Sequence, residues 1–345
     1  MSPFVPNRAL RNPHVQAVLA SMRLRRPFVM RRARKLLEAS RPLVLDCGAG
    51  VRLQGYYAGP SHGASQAKGD MPDFADAKSG MSPRIVVLIH GWEGSADSTY
   101  QLSAAAHLYA RGFDVFRLNL RDHGASHHLN VEVFHSCRLD EVVGAVQAIA
   151  RRLPQHRLYL AGFSLGGNFA LRVAARARKA NLAIERVVAV CPVLDPEHTL
   201  EALESGWLGY RLHFVGKWKR SLKLKQSCHP GIYDFRELLA LKTLTEMTDY
   251  LVRHHSEFAD LAAYLKGYGI VDGALDELSV PSHVILAIDD PIIPFADAGR
   301  LKAPQCLTIE TTTFGGHCGF LQGYGLTSWI DARILDALTS ESRSA

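Results

Sequence analysis

Leu158-Tyr159-Leu160-Ala161-Gly162-Phe163-Ser164-Leu165-Gly166-Gly167-Asn168-Phe169 is the stretch on which the reading of this chain turns. Leu158–Phe163 is a short apolar run of strand length, and the pattern from Leu165 to Lys179 is helical, so a strand runs straight into a helix. Between them Gly162-Phe163-Ser164-Leu165-Gly166 matches G-x-S-x-G. That spacing suits a sharp strand-to-helix turn, because only small neighbours fit two positions either side of the serine. The turn lifts the Ser164 hydroxyl above a sheet. It also leaves the Leu165 amide free at a helix N-terminus, where it can stabilise a developing negative oxygen. A glycine-rich turn with an incidental serine would not need a strand and a helix in this order.

Working outward, strands and helices alternate. Ile85–Ile89, Val115–Leu120 and Ile184–Cys191 read as further strands, and Tyr100–Arg111 and Leu139–Leu153 as helices. After a break come His283–Ile288 (strand), Asp297–Leu301 (short helix), Leu307–Thr312 (strand) and a last helix near Leu326–Leu338. Such alternation predicts the α/β class, a mostly parallel central sheet with helices on both faces. Residues 195–280 hold helical segments and no clear strand, and are read as a helical cap inserted into a core of 42–194 and 281–345. Leu43–Leu45 and Val51–Tyr57, around Gly48-Ala49-Gly50, read as a β-hairpin. Residues 60–83 are rich in Gly, Ser, Asp and Lys and are expected to form a long surface loop. At the start, Asn12-Pro13 marks a helix N-terminus, and a second helix is expected over Arg31–Ala39, giving a basic helical extension over 1–41.

A serine needs a base, and the base needs an orienting acid. His317, in Gly315-Gly316-His317-Cys318-Gly319, follows the last expected strand and is flanked by glycines that let a loop approach the serine. The strand His283–Ile288 ends in Asp289-Asp290-Pro291. Either aspartate could be the acid; neighbours in an extended chain point opposite ways, so one reaches the histidine. The turn resembles that of related hydrolases, in which the acid directly precedes the turn ending in proline, and this resemblance implies Asp290, with Asp289 structural. The loop His90-Gly91-Trp92-Glu93-Gly94-Ser95 follows strand Ile85–Ile89 and resembles the H-G-x loop of many α/β-hydrolases, a resemblance that implies the Trp92 amide as second donor to an oxyanion. His90 is read as a structural hydrogen-bonding group, and His123, in Asp122-His123-Gly124-Ala125-Ser126, as architectural.

The 345 residues can form one large domain with an insertion. Residues 1–45 carry ten Lys and Arg against one acid, Glu38, whereas the remaining 300 carry 30 basic and 32 acidic groups. The net charge of +7 therefore belongs to the N-terminal segment. That segment could touch an anionic membrane surface or pack on the domain; Phe28, Leu36 and Leu37 favour packing, and no nucleic-acid partner is expected. Lys217, Trp218, Lys219 and Arg220 mix aromatic and cationic groups as interfacial segments do. No run approaches eighteen apolar residues and no secretory h-region is evident, which points to the cytoplasm, with possible contact at the inner membrane surface. Cys47, Cys137, Cys191, Cys228, Cys306 and Cys318 show no C-x-x-C pair or regular spacing, so reduced thiols are expected and no metal site.

Taken together, Asn12-Pro13-His14-Val15-Gln16, His90–Ser95, Phe134-His135-Ser136-Cys137, Gly162–Asn168, Asp289-Asp290-Pro291 and Gly315-Gly316-His317 resemble the YheT-like branch of the α/β-hydrolase fold superfamily, over most of the chain. The resemblance implies a Ser–Asp–His triad, no metal or organic cofactor, and short-to-medium acyl esters or phospholipids as substrates. Ala262–Val271 departs from the relatives' paired tyrosines and short polar turn, so substrate preference does not carry over. The expected activity is carboxylic ester hydrolysis. The rivals are an acyltransferase using the same triad and a non-catalytic binding protein of the same fold.

Overall fold

The computed structural model describes residues 4–22, 24–59, 82–302, 304–323 and 325–340. The loop expected over 60–83 lies outside them apart from residues 82 and 83. Eight strands form: β1 (Arg41–Asp46), β2 (Arg52–Ala58), β3 (Arg84–Ile89), β4 (Phe113–Leu118), β5 (Arg157–Phe163), β6 (Ile184–Val190), β7 (Ser282–Ala287) and β8 (Leu307–Thr312). They make one sheet in the order β1-β2-β4-β3-β5-β6-β7-β8. β2 runs antiparallel to β1 and to β4, and every other pairing is parallel.

The continuous apolar runs are explained by burial on both faces. Ile85, Val87 and Ile89 of β3 join one core, and Val86 and Leu88 join the other, the period-2 alternation of a strand. The first face is covered by α5 (Leu139–Arg152) and α6 (Leu165–Arg176), through Val142, Val146, Phe169 and Leu171. The second is covered by α4 (Thr99–Tyr109) and α12 (Trp329–Thr339), through Leu102, Leu108, Ile330 and Ile334.

Most of the N-terminal segment packs on this second layer, through Phe4, Val29, Ala33 and Leu36, whereas Ala17 joins the first core. In α1 (Pro13–Ser21) the Asn12 side chain accepts from the amides of His14 (2.9 Å) and Val15 (3.2 Å). The single helix expected over Arg31–Ala39 is instead two, α2 (Arg26–Arg32) and α3 (Arg34–Ala39), because Pro27 starts the first one earlier and Ala33 leaves helical geometry. The break lets Val29 and Leu36 both reach the core, whereas Phe28, expected to be buried, is exposed.

Between β6 and β7 the chain forms α7 (Pro196–Ser205), α8 (Leu208–Cys228), α9 (Arg236–Ala240), α10 (Leu244–His255) and α11 (Leu261–Lys266). The basic stretch expected at an interface is a helix turned inward. Val215, Trp218, Leu222 and Lys225 recur every three or four residues and form its buried face. Lys217 Nζ donates to the Glu93 carbonyl (2.8 Å), and Lys219 Nζ to that of Leu241 (2.5 Å). Lys225 is buried; its ammonium donates to Asp122 Oδ1 (2.8 Å) and to the carbonyls of Asn130 (2.7 Å) and Glu132 (3.1 Å). Among the described residues no helix is long and apolar enough to cross a membrane.

Candidate active site

Parallel register brings five strand ends to one edge of the sheet. Ile89 pairs with Gly162, Phe163 with Val190, and Ala287 with Thr312. The residues that follow these ends are His90–Glu93, Ser164, Cys191, Asp289-Asp290 and Gly315–Cys318. In parallel α/β sheets, ligands bind in the crevice outside the carboxyl ends of the strands.

Ser164 sits at φ 53° and ψ −122°, a conformation side chains rarely adopt, between β5 and α6. The strain is held by close packing. A Cβ on Gly162 would lie 2.2 Å from the Gly166 carbonyl oxygen, and one on Gly166 would lie 2.2 Å from that of Ile89. The Ser164 amide donates to the Val190 carbonyl (2.9 Å) and fixes the turn to β6. The glycines flanking the serine are therefore required by backbone-to-backbone approach.

His317 lies in the loop after β8, where Gly315 (φ 154°) and Gly316 (φ 51°) make the turn. A hydrogen bond of 2.9 Å joins its Nδ1 to Asp290 Oδ2, and the Asp290 side chain is 2% exposed. Asp290 Oδ1 accepts from the amides of Ile292 (2.8 Å) and Ile293 (3.0 Å), which locks the carboxylate. Asp290 thus takes the amides of the proline turn. Asp289 Oδ1 accepts instead from the Gly316 amide (2.8 Å) and tethers the histidine loop to the end of β7. Burial pulls the His317 imidazole down, but the Asp290 carboxylate and the Cys318 sulfur outweigh it and hold it well above its ordinary value. Burial raises the Cys318 thiol, and its contacts with Cys191 and His317 reverse that, lowering it to about 6. No hydrogen bond joins Ser164 to His317; both face the same cavity, and such bonds often tighten only once substrate is bound.

The loop after β3 is a tight turn in which Gly94 N donates to Gly91 O (2.9 Å) and Glu93 takes φ 54°. Gly91 N donates to the Tyr100 hydroxyl (3.0 Å), and Glu93 N to His123 Nε2 (3.1 Å). The Trp92 amide between them donates to no described residue, and neither does that of Leu165. Both residues line the cavity. His90, fully buried, accepts from Leu120 N through Nε2 (3.1 Å), and burial drives it down to about 4, so it is a neutral structural group. His123, read as architectural, has a second role: it holds the Glu93 amide and so sets the turn that frees Trp92.

Sequence reasoning passed over Gln16. It is wholly buried, and its Nε2 donates to the carbonyls of Leu10 (2.7 Å) and Leu321 (3.1 Å). Its Oε1 accepts from Leu321 N (2.7 Å). A Cβ on Gly316 or Gly319 would collide with backbone oxygens of Pro13 or Gln16, so α1 lies directly on the histidine loop. The signal was the motif Asn12–Gln16 itself, whose role no local pattern explains.

Ser164, His317, Trp92 and Leu165 open on a cavity of about 1080 Å³. Its wall from α8 includes Phe214, stacked on Trp92 at 5.4 Å, and Trp218, edge-on to Trp92 at 5.2 Å. Tyr264 and Tyr268, within the stretch that departs from the YheT-like pattern, line it as well.

A family model described as alpha/beta hydrolase fold matches residues 84–239. The chain is 24% identical over 223 residues to monoacylglycerol lipase ABHD2 of Danio rerio, covering 58% of this chain and 50% of that protein. The chain thus spans about half the length of the curated relatives it matches. Among solved structures, it resembles an esterase of Pyrococcus furiosus (TM-score 0.53, 14% identity, 87% of this chain and 89% of that one). It also resembles the carboxylesterase CesB of Bacillus subtilis (TM-score 0.52, 14% identity, 94% and 100%). Sheet order, the strained turn at Ser164 and the family match agree: the chain has the α/β-hydrolase fold.

Proposed function

We propose that the protein is a serine hydrolase that cleaves carboxylic esters, within the YheT-like branch. The observation that carries this reading is a convergence on one cavity. A strained serine, an imidazole anchored to a buried carboxylate and two idle backbone amides all face it. Ser164 Oγ attacks the ester carbonyl as His317 takes its proton, and Asp290 holds the imidazole in orientation. The amides of Trp92 and Leu165 bind the oxyanion. His317 then protonates the departing alcohol, and water, deprotonated by His317, releases the acid and regenerates Ser164.

Residues 195–280 act as a cap that forms one wall of the cavity. Its volume is at the upper end of small-molecule sites, which run to about 1,000 Å³. We take its apolar and aromatic lining to receive an acyl chain of short to medium length; the similar proteins named as monoacylglycerol lipase and carboxylesterase support carboxylic esters in general. The test is a panel of esters of rising acyl length, with products quantified in the presence of an alcohol acceptor. Free acid as the main product supports hydrolysis. A new ester as the main product makes the protein an acyltransferase, and no turnover of any ester refutes the reading.

Lipid esters at an anionic surface are favoured by the cavity rim. Met22, Trp207 and Leu212 line the cavity and are 41%, 51% and 61% exposed, and Arg26 stands beside them. Such a rim can rest on a membrane interface. Sedimentation with anionic vesicles should fall as salt rises; binding that is absent or insensitive to salt refutes it.

A further inference from the structure

Cys191 and Cys318 are 127 positions apart, yet they meet beside the imidazole proposed as the base. Cys191 follows the last residue of β6, and Cys318 follows His317. Their thiols cross over: Cys191 Sγ lies 3.9 Å from the Gly316 carbonyl oxygen, and Cys318 Sγ lies 3.7 Å from that of Val190. Both residues are held in the left-handed backbone region, at φ 43° and 58°. As a result the two sulfurs and one ring nitrogen of His317 lie within 4.8 Å of one another. Cys191 is fully buried and Cys318 is 6% exposed.

We propose that Cys191, Cys318 and His317 form a binding site for a thiophilic divalent cation of the zinc class, and that an ion held there shuts the esterase off. Zinc takes sulfur at about 2.3 Å and imidazole nitrogen at about 2.0–2.1 Å, so ligands around one ion stand somewhat under 4 Å apart. The cluster reaches that spacing with side-chain shifts of about 1 Å. Two thiolates and an imidazole are the donor set that zinc selects over magnesium or calcium. A metal-bound histidine usually gives its other ring nitrogen to a carboxylate; Nδ1 here is hydrogen-bonded to Asp290, so the proposed ligand atom is Nε2. An entry path exists, since His317 and Cys318 both line the cavity, which leaves the fourth position open to water. Binding would release the two thiol protons to solvent. An ion on the imidazole removes the lone pair that would accept the Ser164 proton, so the same atoms cannot serve both states. The spacing rules applied to the sequence exclude a contiguous zinc motif; they do not reach ligands brought together from two strand ends.

Ligation stands on geometry alone, whereas the inhibitory consequence rests on the proposed function, so the test separates them. The full chain, reduced and stripped by a chelator, is titrated with cobalt(II) while thiolate-to-cobalt charge-transfer absorption is followed. Zinc affinity is then read by competition. One equivalent should saturate the signal, and Cys191→Ala or Cys318→Ala should weaken binding at least about tenfold. A variant carrying alanine at Cys47, Cys137, Cys228 and Cys306 should bind as the wild type does. Zinc at saturating concentration should block fluorophosphonate labelling of the wild type, reversibly on chelation, and should not block it in Cys191→Ala. Cys191→Ser, nearly isosteric, replaces the alanine variant if circular dichroism shows that the latter is unfolded. No charge-transfer band, or a band that persists in both single variants, overturns the site. A band without any effect on labelling overturns the inhibition while leaving ligation standing.

Discussion

Gln16 lies far from Ser164 in sequence, yet its loss should be felt both in stability and in turnover. Replacing it with methionine keeps the volume of the side chain and removes all three of its hydrogen bonds. The Leu321 amide and the carbonyls of Leu10 and Leu321 then lose their partner where Gln16 is wholly buried. Each stranded buried group costs about 1–3 kcal/mol, and three sharing one side chain do not add fully, so a loss of about 3–5 kcal/mol is expected. That is a large share of the roughly 5–15 kcal/mol by which folded domains are stable. At this chain length a fall in Tm of about 4–7 °C should accompany it. Because the freed segment follows His317 by four residues, the imidazole should also drift. A misplacement of about 1 Å costs about 100-fold in rate. Urea denaturation gives the first quantity, and kcat on a soluble ester, measured where the variant is fully folded, gives the second. A Gln16→Met protein within about 1 kcal/mol of wild type and with unchanged kcat would refute the argument that the N-terminal helix holds the histidine loop.

Three further outcomes follow from the site and its supports. Asp290→Asn should lower kcat by about four orders of magnitude, whereas Asp289→Asn, whose side-chain oxygen can still accept from the Gly316 amide, should lose less than about tenfold; steady-state kinetics on both variants decide, and the reverse ranking would contradict the assignment. Turnover needs the neutral imidazole, and His317 is held above the ordinary histidine value. The acid limb of the pH–rate profile should therefore have its midpoint above about 6.5 and move to lower pH in the residual activity of Asp290→Asn; a wild-type midpoint below that value counts against the pairing. Lys225→Met leaves the buried Asp122 carboxylate without its cation and should cost about 3–5 kcal/mol in chemical denaturation, part of it recovered in the double variant with Asp122→Asn.

What could be read from the sequence was what rests on local pattern. Continuous apolar runs gave the parallel strands, and the Asn12-Pro13 start of α1 and the turn at Ser164 were fixed by spacing and small residues. Divergence of neighbours in an extended segment implied that one aspartate reaches the histidine but not which one; the preference for Asp290 came from the resemblance, and the geometry pairs Asp290 with His317. What escaped was non-local. Nothing near Gln16 announces that its partner is Leu321, and nothing near Lys225 announces Asp122. The charge pattern of α8 suggested an interface because a string of lysines and aromatics does not reveal which side of a helix a core will claim. The thiols of Cys191 and Cys318 are brought together by strand order, which no spacing rule encodes.

The most direct test of the central claim is the site of covalent labelling by a fluorophosphonate, read by intact mass and peptide mapping. The account expects one adduct per chain, on the peptide carrying Ser164, and none in Ser164→Ala. Equal labelling of the wild type and Ser164→Ala, or an adduct mapped to any other residue, would contradict it.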